Sequence, residues 1–279
     1  MKKYVLAALL AASTLSMGIP GPAAGQQARY TTDPGREAAT AGAIGGLLLL
    51  RQWVLDEPSV GPQSFDRTWV GSSFEESATR YSSEAWRAWT DRMLVGIWAS
   101  ALASAVLPAS QGDGERWGRL VSLAEAGLLT LGTTEILKLA VGRHRPYTYN
   151  ATLSDERIAY LVGADSADAR ASFPSGHASL AFAGATFSAS MLTATHDWPT
   201  YGDAAIWALT MGAATSVAIG RVRAGKHFPT DVIVGAALGT VLGLLAPACH
   251  EIGDGLCNLK YAESGPAPLD ISLLSVPVR

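Results

Sequence analysis

Six long apolar segments constrain the fold of this chain more than any other feature of its sequence. They are rich in Ala, Leu and Gly, show no strict alternation, and cover residues 41–55, 93–108, 119–141, 176–195, 204–220 and 232–248. Segments of this length exceed ordinary strands and predict helices, and the Pro and charged residues between them are typical of connections. The sequence therefore predicts an all-α bundle of about six core helices. A further amphipathic helix is expected near residues 82–92.

The low charge of the chain leaves two environments open for this bundle. Charged residues make up 16% of the sequence, against roughly 25% in a soluble domain. A membrane span needs about 20 apolar residues, and several segments are shorter. The segment 119–141 also carries Glu125, Glu135 and Lys138, and ionisable groups inside a bilayer are expensive and usually functional. We expect a membrane-embedded bundle, and a soluble exported bundle is the alternative.

The N-terminal residues 1–25 resemble a bacterial-type secretory signal. Two lysines precede an apolar stretch, and two prolines and small residues follow it. An uncleaved first membrane span is the alternative. The predicted organisation is a signal peptide (1–25), a polar segment with helices (26–92), the bundle core (93–248) and a C-terminal tail (249–279). Outside the cytosol, Cys249 and Cys257 are a candidate disulfide pair.

Three short motifs lie at the ends of the apolar segments. They are Lys138-x6-Arg145-Pro146, Pro174-Ser175-Gly176-His177 and Arg221-x5-His227-x3-Asp231. Each motif alone has an ordinary explanation, namely a basic helix end, a helix cap or a local His–Asp hydrogen bond. Gathered at one side of a bundle, they would place three permanent cations, one helix N-terminus and two histidines around a tetrahedral oxyanion. We expect Asp231 to orient His227, because a carboxylate four residues on can reach one imidazole nitrogen.

Taken together, the motifs resemble those of the type 2 phosphatidic acid phosphatase and vanadium haloperoxidase superfamily, over about residues 119–245. The resemblance implies that His227 attacks phosphorus, that Asp231 orients it and that His177 protonates the leaving alkoxide. It further implies that the phosphoryl oxygens are held by Lys138, Arg145, Ser175, Gly176 and Arg221. The family pattern usually has Ser before the arginine of the third motif, where this chain has Gly220.

The expected activity is metal-independent hydrolysis of phosphate monoesters or diphosphates through a phosphohistidine. Lipid phosphates are the expected substrates, because the site adjoins very apolar helices. No cofactor is expected, because the fixed cations would neutralise the charge that Mg²⁺ neutralises in other phosphoryl transfers. No nucleic-acid partner is expected, since the net charge is −3. The alternatives are a vanadium-dependent haloperoxidase, which would hold vanadate, and a soluble periplasmic acid phosphatase of broad specificity. Arg143, His144, Arg223 and Lys226 are expected to be solvated surface charges.

The location expected is the bacterial cell envelope, either as an inner-membrane protein with a periplasm-facing site or as a soluble periplasmic protein. Two helices separate the second and third motifs, so residues 142–174 and 220–231 lie on the same side of a bundle or bilayer. Which side that is depends on whether residues 41–55 cross the membrane.

Overall fold

The computed structural model describes residues 34–55, 71–107, 113–164, 166–195 and 199–250. Within these ranges it is helical and contains no β-strand, so the all-α prediction is confirmed. The predicted signal peptide (1–25) and the C-terminal tail beyond His250 lie outside the described residues. The helices are α1 (Pro34–Leu55), α2 (Ser73–Glu76), α3 (Glu84–Val106), α4 (Asp113–Val141), α5 (Asp155–Ala164), α6 (Ser166–Ala169), α7 (Gly176–Thr195), α8 (Thr200–Arg223) and α9 (Pro229–His250).

The amphipathic helix predicted near residues 82–92 and the apolar segment after it form one continuous helix, α3. The side chain of Ser83 caps its first turn by accepting a hydrogen bond from the amide of Trp86 at 3.4 Å. No Gly or Pro interrupts the sequence before Gly96, so nothing ends the helix where its composition changes. The amphipathic stretch and the apolar segment are therefore one helix rather than two.

Helix α7 is the central element of the bundle. Helices α3, α4, α8 and α9 pack around it, and its buried side chains are mostly small. Ala181, Ala183 and Ala189 have no exposed surface, and Phe187 fills the space between α3, α4 and α9. The packing of small side chains brings the neighbouring helices close to α7, so their ends are held at fixed positions around it.

Helices α7 and α9 approach each other closely along a row of glycines on α9. These glycines stand four residues apart, at Gly235, Gly239 and Gly243. A Cβ atom on Gly239 would lie 2.0 Å from the carbonyl oxygen of Ser179, so only glycine fits there. The two helices run parallel and begin at the same end, where the amide of Ser175 donates to the carbonyl oxygen of Asp231 at 3.0 Å. The second and third motifs are thereby placed side by side.

Three helical stretches are long and apolar enough to cross a membrane among the residues that the structure describes. They are Glu115–Tyr149, Tyr201–Arg223 and Pro229–His250. Helix α1, which contains the segment 41–55, is not one of them. Apolar side chains also lie exposed on the outside of the bundle, and examples are Val95 (70% exposed), Leu209 (74%) and Ile233 (57%). The fold is thus compatible with membrane embedding.

Candidate active site

The three motifs meet at the end of the bundle where α7 and α9 begin and α4 and α8 finish. Nη1 of Arg145 lies 3.1 Å from Nε2 of His227, and the side chains of His177 and Arg221 both approach one carboxylate, that of Asp91. The structure brings together every site residue expected from the sequence: Lys138, Arg145, Ser175, Gly176, His177, Arg221, His227 and Asp231.

His227 is held in one defined tautomer. Its side chain is buried, and Nδ1 lies 2.7 Å from the carbonyl oxygen of Ser172. A carbonyl oxygen only accepts hydrogen bonds, so Nδ1 carries the proton and donates it, and the lone pair resides on Nε2. The guanidinium of Arg145 donates towards that Nε2. The nitrogen with nucleophilic character therefore faces the cations of the site.

The surroundings of His227 also keep it neutral. Burial is the largest effect, and it lowers the pKa of His227 well below 6.5. The positive charges of Arg145, Arg221 and Lys138 lower this pKa further, while the hydrogen bond to Ser172 opposes them. Nε2 consequently carries no proton, and its lone pair accepts from Arg145.

Asp231 does not form the direct hydrogen bond to His227 that the sequence predicts. Its Oδ2 lies 3.8 Å from Nδ1, which is too long for a hydrogen bond. Oδ2 instead accepts from the hydroxyl of Ser172 at 2.6 Å and from the amide of Phe228 at 2.8 Å. Asp231 stands in the first turn of α9, and reaching back to the amide that precedes the helix is a common use of a carboxylate there. Its influence on His227 passes through Ser172 and the loop backbone.

Arg143 belongs to this network and is not the solvated charge expected from the sequence. Its guanidinium donates to Asp231 at 2.7 Å and to Glu75 of α2 at 2.7 Å, and it lies over the ring of Phe228. Glu75 also accepts from the hydroxyl of Thr230. The arginine thus neutralises the buried carboxylate that supports the His227 loop.

Arg145 is fixed on three sides. Its Nε and Nη2 donate to the carbonyl oxygen and the carboxylate of Asp168, at 2.7 and 2.5 Å, and Nη1 donates to the carbonyl oxygen of Lys226 at 2.8 Å. Lys226 lies 3.5 Å from the same carboxylate, so it too is paired rather than simply solvated. Because the guanidinium is already held firmly, it loses little conformational entropy when it binds a ligand.

Lys138 and Gly176 meet where the first motif adjoins the start of α7. A Cβ atom on residue 176 would lie 3.2 Å from Nζ of Lys138. The absence of a side chain at Gly176 therefore leaves room for the ammonium group. Nζ forms an ion pair with Glu135 at 2.7 Å. The lysine therefore stands beside the N-terminus of α7, where backbone amides attract anions.

Arg221 contacts helix α3 through its guanidinium. Nη1 lies 3.3 Å from the hydroxyl of Thr90 and 3.6 Å from the carboxylate of Asp91. Its Nε is buried and has no hydrogen-bond partner in the described part of the chain, although most buried donors have one. A Cβ atom on Gly220 would lie 2.4 Å from the side chain of Thr90. The absence of a side chain at Gly220 thus leaves room for Thr90, whose hydroxyl accepts from Arg221.

His177 follows the first residue of α7 and is partly exposed. Its Nε2 lies 2.8 Å from Oδ1 of Asp91. Burial and the charge of Arg221 lower the pKa of His177 to about 4, against the opposing effect of Asp91. Its proton is therefore weakly held, which suits a group that gives a proton away.

Sequence reasoning missed the residues that support the motifs: Thr90, Asp91, Arg143, Asp168 and Ser172. Arg143 lies inside the first motif, and its position there was a signal that could have been weighed more heavily. The others are single polar residues in stretches of ordinary composition, and no spacing connects them with the motifs.

Two further features bear on the predicted site. Among the described residues, no group of three or more His, Cys, Asp or Glu side chains could hold a metal ion. Cys249 lies in the last turn of α9, at the opposite end from the site. Cys257 lies outside the described residues, so its pairing with Cys249 stays a prediction.

The fold and the site define a class: all-α proteins whose helix ends surround two histidines with arginine and lysine side chains. Residues 119–252 match the model of the PAP2 superfamily. The match contains all three motifs and confirms the resemblance drawn from them. Thr90 and Asp91, on α3, lie outside it.

A similar curated protein is described as a PA-phosphatase related-family protein of Dictyostelium discoideum and is 30% identical over 165 residues. The aligned region covers 50% of this chain and 59% of the relative, so the chain spans little more than half of the protein it matches. No solved structure matches this chain.

Proposed function

We propose that this chain is a metal-independent phosphatase that hydrolyses phosphate monoesters or diphosphates through a phosphohistidine intermediate. The observation that carries the proposal is the state of His227: a neutral imidazole with Nδ1–H held by Ser172 and its Nε2 lone pair directed at Arg145. A nucleophile that faces several fixed cations is what attack on a phosphoryl group requires.

The first half of the reaction transfers the phosphoryl group to the enzyme. Nη1 of Arg145 turns its N–H from Nε2 of His227 to a phosphoryl oxygen. The Nε2 lone pair then forms a bond to phosphorus, and the bond between phosphorus and the ester oxygen breaks. The electron pair of that bond stays with the leaving oxygen, which takes a proton from His177 and departs as an alcohol. Lys138, Arg145 and Arg221 stabilise the charge that spreads over the phosphoryl oxygens.

The second half releases phosphate. A water molecule attacks phosphorus and gives one proton to His177, which is now neutral and acts as a base. The bond from phosphorus to Nε2 breaks, and its electron pair returns to His227. Inorganic phosphate leaves, and both histidines regain their starting states. The permanent cations take the part that Mg²⁺ plays in other phosphoryl transfers.

We further propose that the substrate is a lipid phosphate or lipid diphosphate and that the chain is embedded in the membrane of the cell envelope. Three helical stretches are suited to crossing a bilayer, and apolar side chains such as Val95 and Leu209 lie exposed on the outside of the bundle. An amphiphilic substrate would reach the cluster of cations from the same bilayer. This supports a lipid over a freely soluble ester.

Expression of the full chain, followed by separation of membranes from soluble protein, tests these proposals. Both fractions would be assayed for phosphate release from phosphatidic acid in detergent micelles and from glycerol phosphate, with His227→Ala as the inactive reference. We expect activity in the membrane fraction, a higher kcat/KM for the lipid, and none in the variant. Preference for the soluble ester would contradict the lipid assignment. Halide oxidation dependent on added vanadate, without phosphate release, would contradict phosphatase function.

A further inference from the structure

A carboxylate outside the three motifs contacts two of the proposed catalytic groups. Asp91 lies on α3, and its Oδ1 is 2.8 Å from Nε2 of His177 and 3.6 Å from Nη1 of Arg221. The side chain of Asp91 is 45% exposed at the site. Its helix precedes the part of the chain that matches the PAP2 superfamily. Neither the motifs nor the family match assigns it a role.

The contact with Asp91 determines which nitrogen of His177 can give a proton to the ester oxygen. A carboxylate only accepts hydrogen bonds, so Nε2 carries a proton and donates it to Asp91. The remaining nitrogen, Nδ1, is then the atom through which a proton passes to the leaving oxygen. The same arrangement orients the histidine of other catalytic sites, where a carboxylate fixes the tautomer and stabilises the imidazolium.

Asp91 also opposes the other influences on the charge of His177. Arg221 of α8 and Lys138 of α4 face the imidazole, and both lower its pKa, as does burial. The carboxylate that α9 contributes nearby, Asp231, accepts hydrogen bonds from Ser172 and Arg143. The charge of Asp91 raises the pKa of His177. Without it, two cations and burial would act together against the protonated form.

We infer that Asp91 is a positioning residue that holds His177 in the orientation and protonation state needed to protonate the leaving group. This inference rests on the proposed phosphatase function. As the bond from phosphorus to the ester oxygen breaks, its electron pair goes to that oxygen, and the proton on Nδ1 of His177 follows. The Nε2 proton stays on His177 throughout and is donated in a hydrogen bond to Asp91. Water returns the Nδ1 proton in the second half of the reaction.

The inference is tested by the dependence of activity on the leaving group. Asp91→Asn in the full chain would be compared with wild type on an alkyl phosphate, whose alkoxide needs a proton to leave, and on p-nitrophenyl phosphate, whose phenolate does not. We expect kcat for the alkyl ester to fall about 10²-fold, the usual worth of a general acid, and kcat for the aryl ester to fall much less. The alkaline limb of the pH profile should move to lower pH.

Three other variants separate positioning from structure. Asp91→Glu keeps the carboxylate and should recover part of the activity on the alkyl ester. Asp91→Ser should reproduce the dependence on the leaving group, and it replaces Asp91→Asn if that variant does not fold. Glu84→Gln removes a carboxylate on the same helix that pairs with Arg87 at the surface, and it should behave as wild type.

The outcomes distinguish this inference from the function on which it rests. Equal losses on both esters with an unmoved pH profile would overturn the role of Asp91, while an active wild type would leave the phosphatase proposal standing. Absence of phosphate release from either ester by wild type would overturn both.

Discussion

The imidazole of His227 donates its Nδ1 proton to the backbone carbonyl of Ser172 at 2.7 Å, while the carboxylate of Asp231 stands 3.8 Å away. The same serine donates its hydroxyl to that carboxylate at 2.6 Å. The proposed nucleophile is therefore oriented by a peptide group, and the carboxylate of the motif acts by fixing that peptide group. A backbone contact of this kind has no sequence signature.

Asp231→Asn tests this indirect arrangement. The amide keeps the shape of the side chain but removes one acceptor of the bonds from Ser172, Phe228 and Arg143. We expect kcat to fall about 10²-fold, the effect of a displacement near 1 Å at a reacting group, with little change in KM. Steady-state kinetics on phosphatidic acid measures both. A rise in KM alone would show that Asp231 serves substrate binding instead.

Gly176→Ala tests the placement of Lys138. A methyl group at residue 176 would stand 3.2 Å from Nζ and push the ammonium a few tenths of an ångström from its position. We expect KM to rise by about 3- to 10-fold without loss of thermal stability, because alanine suits the first turn of a helix. Gly96→Ala, on α3 with open space around it, is the matched control. Unchanged KM in Gly176→Ala would remove Lys138 from the phosphate site.

The pKa values of the two histidines predict an acidic optimum. His177 must be protonated to act as an acid, and its pKa is lowered to about 4, so kcat/KM should fall as the pH rises above that region. His227 must be unprotonated, and because its pKa is lowered well below 6.5, the acid-side loss should come only in strongly acidic solution. A pH profile of kcat/KM checks both limbs. A maximum in alkaline solution would contradict these assignments.

Gly239→Ala tests the close packing that places the second and third motifs side by side. The added Cβ would lie 2.0 Å from the carbonyl oxygen of Ser179, so α7 and α9 would have to move apart. We expect a loss of about 1–3 kcal/mol in the free energy of unfolding, together with reduced activity. Gly212→Ala, in an open part of α8, should instead be neutral or stabilise by about 0.5–1 kcal/mol. Equal effects of both substitutions on stability would contradict the packing described.

The sequence predicted the helices, and that the three motifs lie at helix ends, because both depend on local patterns. Long apolar segments have helical length wherever they pack, and the motifs lie at helix ends that the fold brings together. The sequence did not predict the polar residues that contact the site from a distant part of the chain. Asp91 is a single aspartate within helix α3, and nothing in the sequence near it indicates a role. It reaches His177 because α3 approaches Arg221 closely, which Gly220 permits.

Arg143 shows a second limit of sequence reasoning. A charged residue in a connection is usually solvated, and nothing in the sequence indicated that α2 would supply Glu75 as a partner. The ion pairs of Arg143 depend on contacts between residues 68 and 88 positions apart. Such pairing follows from the tertiary structure.

The most direct test of the account is to trap phosphate on His227. Wild type, His227→Ala and Glu84→Gln would be mixed with ³²P-labelled substrate, quenched within milliseconds in alkali and digested to peptides. The account predicts a label on the His227 peptide that is stable in base and lost in acid, present in wild type and Glu84→Gln and absent from His227→Ala. Steady turnover by wild type with no label on that peptide, or full activity of His227→Ala, would contradict it.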